Sequence, residues 1–128
     1  MVEDMRHAVS TLLARAATGV LALAMAAGPV LADATTLYYE RSFVLAAHDK
    51  CTLFKPDVVA ALTAATLQAR GAASGVGVAD ADLSATTRRA RQAASRTACD
   101  NADLKIVQGR VSNAFSGWAR MRTMQFPG

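Results

Sequence analysis

Histidine, cysteine and glutamate are scarce in this 128-residue chain, which has two of each: His7 and His48, Cys51 and Cys99, Glu3 and Glu40. The scarcity removes most site chemistry at once. Zinc and copper centres draw on several His or Cys ligands. One histidine and two cysteines beyond residue 32 cannot build such a centre within a monomer, so neither a metal nor a cofactor is expected. Carboxylate pairs for acid–base work are equally hard to find. Asp57, Asp80, Asp82, Asp100 and Asp103 all stand at expected helix starts, where capping and the helix dipole account for them. Ser112 and Ser116 have no histidine in their helix to activate them. Neither a Cys-x-x-Cys nor a haem attachment motif is present. The glycine-rich stretch 71–79 (GAASGVGVA) lacks the Lys-Ser/Thr of a P-loop and follows no strand, so it reads as a linker. Aromatic residues make up only 5% and do not alternate with basic ones, which argues against nucleic acid as a partner.

Also missing is an uninterrupted run of the roughly 20 apolar residues that a spanning helix needs. The first quarter instead has the layout of a secretory signal peptide. Arg6 and Arg15 supply positive charge, Ala16–Ala27 is apolar, and Gly28-Pro29 is expected to break the helix before Val30-Leu31-Ala32. Cleavage is expected after Ala32, with Ala34 the near alternative, and a retained anchor is the rival reading. Glu3 and Asp4 are out of place in such a leader, which makes Met5 the expected true start. No cysteine follows the cleavage region, so a lipid-modified start is not expected. The expected organisation is therefore a signal peptide over 1–32 and one domain over 33–128. The product would be periplasmic or secreted, with no stable membrane span after cleavage.

What the body of the chain does have is helical spacing throughout. Thr35 or Thr36 is expected to cap a first helix reaching about Leu53, with Leu37, Val44 and Cys51 recurring at sevens. After a turn at Thr52–Lys55, Pro56 suits the first position of a second helix. Its inward stripe is Val59, Leu62, Thr66 and Ala69, and Gly71 is expected to end it. Asp80 or Asp82 is expected to cap a third helix to about Ala98, whose thin apolar side is Leu83, Thr87, Ala90 and Ala94. Asp100 and Asp103 mark the start of a fourth, about Asn101–Thr123. There Leu104, Val107, Val111, Ala114, Trp118 and Met121 alternate gaps of three and four, the spacing of a seam facing other helices. Tyr38, Tyr39 and Trp118 are expected in the core. Met121, Met124 and Phe126 are the expected hydrophobic contact surface, and Gln125–Gly128 a stop.

The fold expected is all-α, a small four-helix up-down-up-down bundle with one disulfide. In that topology the first and third helices finish at the same end. Cys51 and Cys99 stand at those two finishes, and an exported chain with two cysteines is expected to bridge them. The rival reading leaves Cys51 free beside His48, three residues earlier, as a small thiol-dependent or hydrolytic enzyme. Charge is uneven: 33–87 carries 4 basic and 6 acidic residues, whereas 88–128 carries 8 and 2. Arg88, Arg89, Arg91 and Arg96 concentrate this on the third helix, and Arg110, Arg120 and Arg122 follow on the fourth. Guanidinium forks suit phosphate and carboxylate. An envelope protein or an anionic lipid or polymer is the expected partner.

The segments YYERSFVLAAHDKCTLF (38–54), QARGAA (68–73) and FSGWARMRTMQFPG (115–128) resemble a loose set of uncharacterised small, Ala/Arg-rich exported proteins of alphaproteobacteria. The resemblance implies export and no particular activity. Those proteins often continue beyond the FPG, so the resemblance leaves both a whole and a shortened chain open.

Overall fold

The computed structural model describes residues 28–121, and every regular element among them is helical. Helix α1 occupies residues 28–51, α2 Pro56–Gly75, α3 Asp80–Arg96 and α4 Ala102–Met121. Most of the expected leader, the Met5 start, Met124, Phe126 and the terminal stop lie outside the described residues.

The helix ends follow from local chemistry, and several differ from expectation. Gly28 and Pro29 are part of α1, which continues unbroken through Ala32 and Ala34. Neither Thr35 nor Thr36 caps it. The Thr35 hydroxyl instead donates to the Leu31 carbonyl, 2.9 Å away, a back-bond made inside a helix. α1 ends at Cys51, two residues early, because Thr52 swings to φ 54. Pro56 opens α2 as expected, its missing N–H costing nothing in the first turn.

Gly71 does not end α2, although glycine inside a helix costs about 1 kcal/mol relative to alanine. The helix runs on to Gly75 because Ala73, two residues short of that end, is fully buried. The linker therefore shrinks to 76–79. Gly77 takes φ 100, and Val78 donates its N–H to the Ala73 carbonyl (3.0 Å), which reverses the chain. Ala79 is the N-cap of α3 with no side-chain bond, so Asp80 and Asp82 stand inside the first turn and act through the helix dipole. Asn101, not Asp100, caps α4: its Oδ1 accepts the Leu104 N–H at 3.1 Å.

Three small clusters form the core, and α1 contributes to each. Tyr38 packs with Ala69, Ala73 and Leu83. Val44 packs with Phe54, Val58 and Leu62, backed by Val107, Val111 and Phe115 of α4. Ala47 packs with Ala94 and Leu104. Leu83 is 0% exposed, and burying such a side chain is worth about 1.5–3 kcal/mol. The buried hydroxyls of Thr66 and Thr86 are answered by the carbonyls of Leu62 and Asp82.

The seam expected along α4 is only half covered. Leu104 is buried and Val107, Val111 and Phe115 are partly so, but Trp118 is 46% and Met121 61% exposed. Across from Trp118, α2 contributes mainly small side chains, Ala61, Ala64 and Ala65, with Gln68. A groove of about 440 Å³ remains between the two helices.

Candidate anion-binding face and the bridged end

α3 turns its core side to the protein through Leu83, Thr86, Ala90 and Ala94, with Thr87 half-buried beside them. A helix advances about 100° and 1.5 Å per residue. By that count Arg88, Arg89, Arg91 and Arg96 spread over the opposite side, along about 12 Å of axis, and all four are exposed. Between them stand Ser84, Gln92 and Ser95, with no acidic residue. Among the described residues no carboxylate comes within 4 Å of any of the four, and the one ion pair, Arg70 with Asp80 at 3.8 Å, lies elsewhere. Among the described residues Arg89 alone of the four makes a side-chain bond, its Nη2 donating to Thr86 Oγ1 at 3.2 Å. Arg89 lines an open groove between α1 and α3, walled also by Tyr39, Val78 and the carboxylate-bearing Asp82, which stays beyond 4 Å of it. The α4 arginines belong to other surroundings. Arg110 lines a groove with α1, and Arg120 donates to the Ser116 carbonyl on its own helix.

At the other candidate centre, Cys51 and Cys99 are joined, with S–S 2.05 Å and Cα atoms 5.6 Å apart. A bridged sulfur is no nucleophile, and His48 faces away from such a role. Its Nδ1 accepts the backbone N–H groups of Leu53 (3.1 Å) and Phe54 (3.2 Å). The bridge is reinforced by Lys50, whose ammonium donates to the carbonyls of Ser95 (3.1 Å) and Thr97 (2.8 Å). Among the described residues no three His, Cys, Asp or Glu side chains gather as a metal site, and no helix is long and apolar enough to cross a membrane.

Tyr38 and Thr87, expected on inward faces, join Arg70 in a polar knot that the sequence did not signal. The Tyr38 hydroxyl lies 2.7 Å from Thr87 Oγ1 and accepts from Arg70 Nη1 at 3.2 Å, while the Arg70 guanidinium sits 5.9 Å from the ring centre. Burial pushes the phenol's pKa up. The bonds from Thr87, Arg70 and Ser42 together outweigh it and leave the pKa below its ordinary value. No signal in the sequence pairs these residues, since they come from three helices.

Comparison of the chain with known protein families, with curated proteins and with solved structures finds no match.

Proposed function

We propose that the protein is a non-enzymatic binding module of the cell envelope. In this reading the chain is exported on a signal peptide over 1–32, cut after Ala32 or Ala34, and the domain over 33–128 works in the periplasm or is secreted. The disulfide and the absence of a membrane-crossing helix among the described residues are in keeping with that setting. The domain is an up-down-up-down bundle. Contacts of Tyr38 with Thr87 and of Lys50 with Thr97 are in keeping with a shared direction for α1 and α3, and those of Tyr38 with Arg70 and of Arg41 with Ala65 with the opposite direction for α2.

Function rests on the outer face of α3. Four exposed arginines without a carboxylate partner within 4 Å among the described residues are the single observation that carries it. Guanidinium groups left open in this way favour phosphate and carboxylate, so the ligand is an anionic lipid, an anionic polymer or an acidic envelope protein. The face has no large apolar residue, so contact is electrostatic and without insertion. Each arginine near an anionic surface contributes about 1 kcal/mol. Arg88→Ala with Arg91→Ala should therefore weaken retention on anionic vesicles by roughly 30-fold at low salt. Raising salt toward 1 M, where the screening length falls to about 3 Å, should release the wild type. Retention unchanged by salt or by the two substitutions would reject the reading. Export has its own check. The intact mass of protein from the native host should match a start at Asp33 or Thr35, and a start at Met1 or Met5 would reject cleavage.

A further inference from the structure

The turn between α1 and α2 depends on one imidazole nitrogen. α1 closes with the Thr52 N–H on the His48 carbonyl at 2.8 Å, and Thr52 then takes φ 54. That left-handed conformation is strained for a β-branched residue. The next two amides, Leu53 and Phe54, turn back onto His48 Nδ1 at 3.1 and 3.2 Å, and the imidazole stacks on the Phe54 ring at 5.8 Å. Both residues then connect to α4. Phe54 is buried in the cluster that includes Val107, Val111 and Phe115, and the Leu53 carbonyl accepts Gln108 Nε2 at 2.7 Å.

We propose that His48 is a proton-operated latch on this turn. An Nδ1 that accepts two N–H groups must present its lone pair, so the neutral ring carries its proton on Nε2. Adding a proton to Nδ1 turns the acceptor into a donor facing two donors. Both contacts are lost, and the turn is left to the Thr52 N–H on the His48 carbonyl, the Gln108 bond to Leu53 and the buried Phe54 ring. Histidine is the side chain whose charge ordinarily changes between pH 5 and 8.

The surrounding charges offer the imidazolium no replacement. Asp49 and Lys50 flank it on α1, Lys55 and Asp57 open α2, and Asp100, Asp103 and Lys105 surround the start of α4. None of those carboxylates lies within 4 Å of the ring. Asp57 Oδ1 faces the Val58 N–H, and Lys50 is committed to Ser95 and Thr97. The disulfide and Lys50 keep α1 joined to the end of α3 in either state, so the opening is confined to the turn and to the hold of α4. This device goes beyond the anion-binding reading and does not rest on it.

Nuclear magnetic resonance on the full oxidised chain between pH 5 and 8 tests the latch. The expected result is an Nε2–H tautomer at the upper end. As the ring gains its proton, the Leu53 and Phe54 amides should lose about ten-fold in exchange protection, the equivalent of one hydrogen bond, after correction for the intrinsic pH dependence. The Gln108 side-chain amide should shift in step, while the Thr97 region stays unchanged. His48→Asn keeps an acceptor oxygen near the Nδ1 position and cannot take the proton, so it should abolish the pH response with the fold intact. His48→Ala should leave both amides unprotected throughout. An Nδ1–H tautomer, a ring that titrates without moving those amides, or an unchanged pH response in His48→Asn would each overturn the proposal.

Discussion

Removing the cross-link through Cys51→Ala with Cys99→Ala should lower stability while leaving the native arrangement in place. The bridged end has other attachments that survive the change. Lys50 still donates to Ser95 and Thr97, and Ala47 still packs against Ala94 and Leu104. The loss therefore comes chiefly from the unfolded chain, which regains the freedom of a 48-residue loop. The chain-entropy relation puts that freedom at about 4 kcal/mol at 25 °C. A domain of this size loses about 4–8 °C of Tm per kcal/mol, so the melt should fall by roughly 16–32 °C. Thermal and urea unfolding followed by circular dichroism would measure it, on the wild type with and without reductant and on the double variant. Reduced wild type and double variant should agree. A loss below about 1 kcal/mol in both would refute the reasoning, since the loop would then be closed already in the unfolded ensemble.

Other outcomes follow from burial and charge. Leu83→Ala, at a position with no exposure, should cost about 2–5 kcal/mol in the same denaturant assay. Trp118→Ala should cost about 1 kcal/mol or less, because the indole stands half in solvent at the rim of the α2–α4 groove; a loss as large as that for Leu83 would contradict the half-covered seam. Tyr38 titrates below its ordinary value in the fold, so its contribution to stability is absent at neutral pH. It grows as pH rises from the folded value toward the unfolded value near 10. Arg70→Met removes one of the groups that favour the phenolate and should move the tyrosinate absorbance change to higher pH.

The helical class, the Pro56 start and the cysteine pairing were legible in the sequence because each depends on short-range spacing or on elimination. The exposure of the α3 arginines was legible for the same reason: a helix that buries Leu83, Ala90 and Ala94 must turn Arg88 and Arg91 outward. Trp118 shows where spacing stops informing. A three-four pattern defines a face on α4 but not what stands opposite, and α2 presents alanines there. Gly71 shows the reverse, a local stop overridden by the burial of Ala73 against Tyr38 and Leu83. The Tyr38 knot and the His48 turn were illegible for a further reason. The first joins three helices, and the second depends on the backbone angle at Thr52, which residue identity alone disfavours.

That α1 shares every cluster has a consequence for how the protein is made. Synthesis delivers this helix first, and chains acquire structure as segments emerge. Yet the helix that completes its contacts comes last: Leu53 waits 55 residues for Gln108, and Val44 waits longer for Val107 and Val111. A nascent chain therefore holds Val44, Phe54 and Val58 open until α4 has appeared. Such a chain stays pliable for as long as it is incomplete, and an interruption before Ala102 leaves it with an apolar flank for chaperones or proteases to find.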